Sequence, residues 1–598
     1  MCQNPRGEHA RPLGVDLNLR IVRRESFSQD PQAALSPELH PVLRRIYLSR
    51  GVRTAADLDT SLDRLHPVGT LGGVGAAVDL LMKHHAGRIL IVGDFDADGA
   101  TSTALMMRAL KAWGFVSVDF LVPNRFEFGY GLTPEIVALA STRSPTLIVT
   151  VDNGISSIAG VARAREQGID VLITDHHLAG AELPSANVIV NPNLAGSTFG
   201  SRSLAGVGVA FYVMAAVRRR LDAEKLTPAG APSVAEFLDL VALGTVADVV
   251  PLDSNNRVLV AQGLRRIRAG RCVAGITALL TLSGRRISDL TAADVAFAVA
   301  PRLNAAGRMD DMTIGIQCLL SDDLTNAQML AAQLDQLNQE RRATEARMQV
   351  DALAAVSRLR ETGPRAIRRS GVCLFDESWH QGVVGLVASR VKDRVRRPVI
   401  AFALADDQTL RGSARSVAGI HIRDVLDAIA AHDPDLISKF GGHAMAAGLT
   451  LERSKLDRFA IAFDEEVTRW AERGAMADAV ETDGELCVQE IALETAQALR
   501  AGGPWGQSFP EPCFDGVFTI RNARAIADRH LKMWVEVPRT GRSFDAIAFN
   551  HIEEPQGFVP PEGPVQLVYR LDINEYQGER RLQLLVDHVL PVQATTSP

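Results

Sequence analysis

Hydrophobic and polar positions follow a repeating order from about residue 88 onward. The apolar segment RILIV is followed by an acidic turn and by the amphipathic stretch ATSTALMMRALKAW. The same order returns in TLIVTVDNGISS with IAGVARAREQG, and again in IDVLITDHHLAG with ANVIVNP. Continuous Val, Ile and Leu segments between helical stretches are typical of parallel strands covered on both faces. The pattern predicts an α/β domain, in which ligands bind at the carboxyl ends of the strands.

The remainder of the chain changes pattern several times. After an N-terminal segment at 1–70 and the first α/β domain at 71–321, residues 322–362 are polar, charged and helical in periodicity. We expect this stretch to be a long connector helix, followed by a second α/β domain at 363–465. Within 466–598, segments such as KMWVEV and FDAIAF alternate between polar and apolar residues, which predicts a small C-terminal β-barrel.

Composition narrows the class of protein. The chain has 598 residues, more than one hydrophobic core usually serves, so several domains are expected. No apolar run has the length of a membrane span, and MCQNPRGEHARPLG at the N-terminus lacks the apolar region of a secretory signal. Six scattered cysteines without a CxxC pair favour a reducing cytoplasm. A net charge of −6 argues against a protein that coats duplex DNA through bulk positive charge, but not against a nuclease with a local basic channel.

The strongest chemical signal is the turn GDFDADG, which contains Asp94, Asp96 and Asp98. A calcium loop would require Glu at its twelfth position, where this chain has Leu105. A merely solvated turn is disfavoured because the preceding strand is apolar. A turn can gather several carboxylates around one cation, so the segment is a candidate metal site.

Three further turns carry acidic or histidine side chains. They contain Asp152 in VDNG, then Asp175, His176 and His177 in TDHH, and Asp248 in LGTVADVVPLD. Each turn alone is compatible with a helix cap or a surface loop. Together they place oxygen ligands and an imidazole at one edge of the sheet, a donor set that suits Mn²⁺ or Mg²⁺. Two such cations would neutralise the mutual repulsion of the carboxylates and could serve phosphoryl transfer.

DFDADG, VDNG, TDHH and LGTVADVVPL, in this order, resemble the motifs of the DHH phosphoesterase superfamily. Other stretches resemble the RecJ-type nucleases within it, and the resemblance runs from about residue 45 to near 590. They are VPNRFEFGYGL (122–132), NPNL (191–194), LAGVGVAF (204–211), APRLNAAGRM (300–309), WHQGVVGLVASR (379–390), GSARS (412–416) and GGHAMAAG (441–448). The resemblance implies a DHH parallel-sheet domain, a connector helix, a DHHA1 substrate-binding domain and a C-terminal OB-fold.

The resemblance also implies residue roles. The implied metal ligands are Asp94, Asp96, Asp98, Asp152, His176 and Asp248. Asp152 would bridge two ions and belongs with His177 and Asp175 to the catalytic set. His177 would contact the phosphate or shuttle a proton, and Asp175 would orient a histidine. The sequence leaves open which of the three aspartates of the first motif bind metal directly.

A second implied set binds the DNA and its phosphates. Its members are Arg125, Arg302, Asn304, Arg308, Ser413, Arg415 and His443. Arginine binds phosphate oxygens in a bidentate manner, and a pocket for a terminal 5′ phosphate would explain exonuclease polarity. The alternative for each arginine is an ordinary salt bridge. For the GGHAMAAG segment that contains His443, the alternative is a plain turn at a helix start.

In the OB-like region, Trp505, Phe509, Phe514 and Trp534 are candidates for stacking on bases, with a core position as the alternative. One loop departs from the family pattern. RecJ-type chains often have PFGxGNPEP here, whereas this chain has GPWGQSFPEP, so Ser508 and Phe509 replace a Gly-Asn pair. The departure puts the geometry of this loop in doubt and leaves the metal ligands unaffected.

The resemblance implies a single-stranded-DNA-specific 5′→3′ exonuclease of DNA repair and recombination, with two Mn²⁺ or Mg²⁺ ions. Expected partners are single-stranded DNA, single-strand-binding protein and a RecQ-type helicase, for a cytoplasmic monomer that contacts no membrane. One alternative is a DHH enzyme for short oligonucleotides, cyclic dinucleotides or polyphosphate, but such chains usually lack the β-rich C-terminal region. The other is a non-enzymatic scaffold with a decayed metal site, which is disfavoured because every ligand position is filled.

Overall fold

The computed structural model describes residues 19–25, 35–361, 370–472, 479–552, 561–576 and 578–592. The segment MCQNPRGEHARPLG, where we predicted no secretory signal, lies outside the described residues, as does Cys2. The chain divides into two compact units. One comprises Thr60–Ala477, and the other comprises the residues up to Asp59 together with those from Asp478 onward. The domain boundaries expected from the sequence stay predictions.

The strands are listed here in chain order. They are β1 (Arg20–Arg23), β2 (Arg88–Val92), β3 (Ser117–Leu121), β4 (Leu147–Val151), β5 (Asp170–Thr174), β6 (Val188–Val190), β7 (Val372–Phe375), β8 (Val399–Leu404), β9 (Thr409–Arg415), β10 (Lys439–Gly442), β11 (Ala446–Glu452), β12 (Ala479–Thr482), β13 (Phe514–Ile526), β14 (His530–Glu536), β15 (Ser543–Ala548), β16 (Gly563–Tyr576) and β17 (Glu579–Pro591).

The α-helices follow in the same way. They are α1 (Pro41–Ser49), α2 (Val74–Lys83), α3 (Ala97–Ala112), α4 (Pro134–Ser141), α5 (Ile158–Glu166), α6 (Gly206–Ala223), α7 (Leu238–Ala247), α8 (Ser254–Arg268), α9 (Ala274–Leu282), α10 (Ala292–Asp294), α11 (Ala300–Met309), α12 (Thr313–Leu320), α13 (Leu324–Glu361), α14 (Val384–Val395), α15 (Ile422–His432), α16 (Leu456–Glu472) and α17 (Leu493–Ala501). A π-helical turn, Val295–Val299, joins α10 to α11.

The first sheet of the larger unit has the strand order β3-β2-β4-β5-β6, and all of its pairings are parallel. All five residues of β4 are buried, as are four of the five in β2. Side chains such as Leu90, Ile148 and Ile173 form one core with apolar residues of α4 and α5. The predicted parallel sheet with both faces covered is therefore confirmed, and its carboxyl edge presents the acidic turns.

The long helix α13 leads from this sheet to the second one, as the sequence predicted. The second sheet has the order β10-β11-β9-β8-β7 and is mixed, because only β7 and β8 pair in parallel. Along β9 the residues Thr409, Arg411, Ser413 and Arg415 are partly exposed while those between them are buried. This strand therefore presents a row of polar side chains on one face.

The smaller unit contains a closed barrel with the order β13-β14-β15-β17-β16, which confirms the predicted C-terminal β-barrel. Its strands β13, β16 and β17 have 13, 14 and 13 residues, longer than the short segments expected from the sequence. The reason is that β13 and β16 continue through irregularities, at Ile520/Asn522 and Val568/Tyr569, which let one strand bend around a barrel. In the same unit β1 pairs in parallel with β12.

Among the described residues, no helix taken alone has both the length and the apolar character for crossing a membrane. Leu62–Thr70 and Val74–Lys83 reach that threshold only as a bent pair.

Candidate functional site

The first acidic turn links β2 to α3. Asp96 is the N-cap of α3, and its Oδ1 accepts a hydrogen bond from the Gly99 backbone N–H at 3.0 Å. Asp94 is buried, and its Oδ1 accepts the Phe95 N–H at 2.7 Å. A Cβ atom added at Gly99 would lie 2.7 Å from the Asp94 backbone, so only glycine allows the helix to start this close to the strand end.

Asp98 binds the start of another helix. Its Oδ2 and Oδ1 accept the backbone N–H groups of Gly206 and Val207, the first residues of α6, at 2.6 and 2.9 Å. Asp98 is only 1% exposed. A Cβ atom at Gly206 would lie 2.6 Å from the Cβ of Asp152. The close approach at glycine therefore lets α6 pack against two residues of the acidic cluster at once.

Asp152 follows β4 in a left-handed backbone conformation, with φ 62°. Its N–H donates to the Thr174 carbonyl at 3.0 Å, which ties the turn to the neighbouring strand β5. Residues other than glycine rarely adopt this conformation, although Asp and Asn tolerate it better than most. The turn is therefore held by specific contacts that direct the Asp152 carboxylate into the cluster.

The two histidines have different environments. Nε2 of His176 lies 3.1 Å from Oδ1 of Asp152 and 3.5 Å from Oδ2 of Asp248, the C-cap of α7. Nδ1 of His177 lies 2.8 Å from Oδ1 of Asp175, a carboxylate that also accepts the N–H groups of both histidines and of Ile155. Asp175 is thus saturated by hydrogen bonds, while His176 points at two other carboxylates.

Ligand atoms of the cluster fall into three overlapping groups in which they lie within 4.8 Å of one another. The groups are Asp94, Asp96 and Asp152; Asp98, His176 and Asp248; and Asp152, His176 and His177. The buried atoms Asp152 Oδ1, His176 Nε2 and Asp248 Oδ2 have no hydrogen-bond partner within the protein. Buried polar atoms are rarely left unpaired. Convergent carboxylate oxygens with one imidazole nitrogen fit divalent cations such as Mn²⁺.

The charges in the cluster explain why it needs cations. Burial, and then the charges of neighbouring aspartates, raises the pKa of Asp98 to about 7 and those of Asp94, Asp152 and Asp248 well above their ordinary value. Burial, followed by repulsion from His177, lowers the pKa of His176 to about 4, so that its imidazole is neutral at pH 7. A neutral imidazole is the form that binds metal.

His177 behaves in the opposite way. Its burial would lower its pKa, but the hydrogen bond and charge of Asp175 outweigh this effect and raise the pKa to about 9. Because Nδ1 faces Asp175, the other ring nitrogen is the one available to a ligand. His177 therefore presents a cation beside the cluster.

A second cluster contains three arginines from different elements. Arg125, Arg308 and Arg415 form no ion pair with any carboxylate of the described residues. Burial, then repulsion from Arg125 and Arg415, lowers the pKa of Arg308 to about 10. Ser413 Oγ accepts a hydrogen bond from Arg415 at 3.1 Å, and Nη1 of Arg308 lies 3.3 Å from the Gly382 carbonyl. Partly buried arginines that lack a carboxylate partner are suited to binding an anionic ligand.

Sequence reasoning missed Arg411 in this region. Its Nη1 donates to the Arg125 carbonyl at 3.2 Å and to Oε1 of Gln381 at the same distance. The signal was present, because Arg411 lies two and four residues before Ser413 and Arg415 on the alternating strand β9. The alternation of partly exposed and buried residues along β9 therefore begins before the GSARS motif.

Two of the predicted DNA-binding residues make hydrogen bonds within the protein. Arg302 donates to Asp335 of α13 at 2.8 Å and to the Ala298 carbonyl, so the ordinary salt bridge weighed as the alternative is what the structure contains. Oδ1 of Asn304 accepts the Ala97 N–H at 2.8 Å and so supports the first acidic turn. A direct contact of Asn304 with DNA stays a prediction.

His443 lies near the cluster, with its ring centroid 6.5 Å from that of His177. The glycine-rich segment around it is the turn between the antiparallel strands β10 and β11, rather than a turn at a helix start. Gly442 has φ 148°, and a Cβ atom there would lie 2.4 Å from the Ala446 carbonyl oxygen. Glycine is therefore required for the tight turn that presents His443.

Sequence reasoning also assigned no role to Tyr130. Its hydroxyl donates to the Asp152 carbonyl at 3.1 Å and lies 3.3 Å from Nδ1 of His177. Its ring packs edge-on against Phe95, and the Arg125 guanidinium lies 4.2 Å above the Phe95 ring. The only signal was the position of Tyr130 between two glycines in FGYGL.

In the smaller unit, the candidate stacking residues separate into two groups. Phe509 and Phe514 are buried, so the core alternative applies to them, and Trp505 stacks on Phe509 with centroids 5.1 Å apart. Trp534 is 49% exposed and borders a cavity of about 830 Å³ together with Arg542. Trp534 alone of the four presents a largely open ring.

The departure from the family pattern in GPWGQSFPEP has a local explanation. Ser508 has φ 62°, the conformation for which glycine is the usual residue. Gly506 and Phe509 form a backbone bridge across the turn, and Phe509 packs on Tyr47 as well as on Trp505. Serine thus retains the turn at a conformational cost, and the phenyl ring that replaces asparagine contributes to the core.

Comparison with known proteins agrees with this architecture. Residues 88–245 match the model of the DHH family N-terminal domain, residues 368–469 that of the DHHA1 domain, and residues 482–588 that of the RecJ OB domain. The single-stranded-DNA-specific exonuclease RecJ of Salmonella typhimurium is 51% identical to the chain over 586 residues, covering 96% of this chain and 99% of that protein.

Two solved structures of RecJ from Thermus thermophilus are also similar. The crystal structure in complex with Mn²⁺ superposes with a TM-score of 0.79 at 29% identity, covering 97% of this chain and 80% of that one. The complex with Mg²⁺ gives a TM-score of 0.73 at 27% identity, covering 97% and 79%. The identity to relatives over nearly the full length shows that the chain belongs to the RecJ family.

Proposed function

We propose that this chain is a metal-dependent exonuclease that hydrolyses single-stranded DNA from its 5′ end, as part of DNA repair and recombination. The observation that carries the proposal is that two potential metal-ligand groups converge on Asp152, beside a cluster of unpaired arginines. The relatives' names supply the substrate, since they describe exonucleases specific for single-stranded DNA.

We assign two of the three ligand groups to two Mn²⁺ or Mg²⁺ ions. Asp94, Asp96 and Asp152 would hold one ion, and Asp98, His176 and Asp248 would hold the other with Asp152 as the bridge. When bound, such ions acidify water and neutralise the developing charge on a scissile phosphate. Asp94 and Asp96 belong to the first of these groups and Asp98 to the second. This distribution supports direct metal binding by all three aspartates of the first motif.

His177 is assigned to the substrate phosphate or to proton transfer. The Asp175 carboxylate fixes the orientation of its ring and favours its protonated form. A protonated imidazole can bind a phosphate oxygen or donate a proton to a leaving oxygen. Asp175 acts through His177 and is a positioning residue in this scheme.

The arginine cluster is assigned to the 5′ phosphate. Burial lowers the pKa of Arg125, and the nearby charges of Asp94 and Asp96 oppose that shift, so the arginine cluster borders the proposed metal centre. A terminal phosphate carries more charge than an internal one, and bidentate arginines recognise it well. Capture of the terminal phosphate would place an adjoining phosphodiester at the metals and set the 5′→3′ polarity.

We infer that selectivity for single strands is steric, because the carboxylates of Asp94, Asp98 and Asp152 are buried and a duplex would reach them less easily than a single strand. The experiment compares 5′- and 3′-labelled single strands, with and without a 5′ phosphate, with a blunt duplex and a dinucleotide, each in the presence of Mn²⁺ and of chelator. We expect release of nucleotides from the 5′ end of single strands only when metal is present. Equal digestion of the blunt duplex would refute the steric argument, and digestion of dinucleotides alone would support a different DHH activity.

The proposals that the chain acts in the cytoplasm as a monomer, and that it works with single-strand-binding protein and a RecQ-type helicase, rest on the family resemblance. Co-purification with either protein and measurement of the solution mass test them.

A further inference from the structure

The backbone of Asp152 is held in its uncommon conformation from two sides. Its N–H donates to Thr174, and its carbonyl oxygen accepts the Tyr130 hydroxyl at 3.1 Å. The first contact belongs to the ladder between neighbouring strands. The second comes from a side chain in a separate loop, and it fixes the peptide that follows the proposed bridging carboxylate.

The loop that presents Tyr130 is itself built for this position. Gly129 and Gly131, on either side of the tyrosine, have φ 76° and 78°. The next residue, Leu132, donates its backbone N–H to Ser157 Oγ at 3.0 Å. A Cβ atom at Gly160 of α5 would lie 1.8 Å from the Leu132 carbonyl oxygen, so a glycine on that helix lets the loop approach. The loop is therefore anchored to the element that follows the VDNG turn.

The environment of Tyr130 indicates that its role depends on the contacts of its hydroxyl rather than on burial of its ring. Tyr130 is 47% exposed, which is unusual for an aromatic residue beside buried carboxylates. Its oxygen nevertheless contacts both Asp152 and the Nδ1 edge of His177. A phenol keeps its proton at neutral pH and can act as donor and acceptor at once. One hydroxyl thus connects the proposed bridging ligand to the proposed phosphate-binding histidine.

We propose that Tyr130 is a positioning residue whose hydroxyl holds the Asp152 peptide in the left-handed conformation and so keeps its carboxylate preorganised for metal. This inference rests on the proposed metal centre. It predicts that the hydroxyl acts on metal affinity, because a carboxylate that must be reoriented on binding binds more weakly. It does not require a contact between Tyr130 and DNA.

The test uses the full chain freed of metal, with Mn²⁺ alone as the titrant in calorimetry. Tyr130→Phe keeps the ring and removes the hydroxyl. We expect its Mn²⁺ affinity to fall roughly three- to tenfold, the value of one neutral hydrogen bond. Nuclease activity lost at low Mn²⁺ should return when Mn²⁺ is raised, with the KM for DNA unaltered.

Tyr212→Phe is the matched control, since it removes a hydroxyl bonded to Asn255 at 2.7 Å in the same unit, away from the cluster. It should leave Mn²⁺ affinity unaltered. Tyr130→Leu, which also removes the ring, should match Tyr130→Phe in affinity. An unaltered affinity in both Tyr130 variants, or an activity loss that Mn²⁺ does not restore, would overturn the inference about Tyr130 and leave the proposed metal centre intact. Absence of Mn²⁺ binding by the unsubstituted protein would instead overturn the proposed metal centre.

Discussion

Nε2 of His176 lies 3.1 Å from Oδ1 of Asp152, and neither buried atom has a hydrogen-bond partner. A neutral imidazole could donate to one carboxylate at this distance, but it would leave the nearby Asp248 oxygen without a partner, whereas a shared cation would serve all three atoms. The relationship connects the VDNG and TDHH motifs, which follow adjacent parallel strands.

Substitution of Asp152 should abolish activity without unfolding the protein. Asp152→Asn preserves size but removes the charge of the proposed bridging ligand, so we expect kcat to fall on the order of 10³-fold or more. Hydrolysis of a 5′-labelled strand measures the effect, and calorimetry reports the loss of Mn²⁺ sites. Asp407→Asn, at an exposed position, is the control. Full activity of Asp152→Asn would show that Asp152 does not bridge the metals at the catalytic centre.

The Asp175 carboxylate should control the alkaline limit of activity. With a pKa of about 9, His177 is protonated below that pH and loses its charge above it, so kcat should decline as pH rises through 9. Asp175→Asn removes the main cause of the raised pKa, and the decline should move toward neutral pH. The measurement is a profile of kcat against pH with saturating Mg²⁺. Identical alkaline limbs in the two proteins would contradict the assigned role.

Metal binding should depend on pH through the carboxylates. Their folded-state pKa values are raised, Asp98 to about 7, so the metal-free folded protein binds more protons than the unfolded chain between about pH 4 and 7. The contribution of these carboxylates to the free energy of unfolding of the metal-free protein therefore falls as pH rises through that window. Mn²⁺ replaces the protons, and the gain in Tm on adding Mn²⁺ should be larger at pH 8 than at pH 6. An equal gain at both values would argue against ligation by these groups.

The arginine cluster should recognise the 5′ phosphate. Arg415→Gln removes a charge-assisted contact, so the preference for a 5′-phosphorylated strand over a 5′-hydroxyl strand should fall about 10- to 100-fold in kcat/KM. Arg302→Gln is the matched control, because that guanidinium is bound to Asp335, and it should retain the preference. If both variants lose the preference equally, the proposed assignment of the 5′ phosphate to the arginine cluster is wrong.

The acidic cluster could be predicted from the sequence because its residues directly follow apolar strands, whose carboxyl ends meet at one edge of a parallel sheet. Arginines in salt bridges could not be distinguished in this way from arginines without a carboxylate partner. Arg302 and Arg308 lie on the same helix α11, and only the tertiary position of Asp335 on α13 distinguishes a salt-bridged arginine from an unpaired one.

The sequence pattern also does not show which aromatic residues of the barrel are buried and which are exposed. Phe514 and Trp534 both lie in alternating strands of the barrel, yet one is in its core and the other is half exposed. The role of Tyr130 could not be predicted from the sequence for another reason. Its hydroxyl donates to a backbone carbonyl oxygen, and every residue has one, so the residue type at position 152 does not show that a tyrosine binds there.

Asp98 is both a candidate ligand and the acceptor for the first two N–H groups of α6. Any change in the charge of its carboxylate therefore changes the hydrogen bonds at the start of an 18-residue helix. The rates at which the amide protons of Gly206 and Val207 exchange with deuterated solvent would therefore report the occupancy of the centre in the absence of substrate.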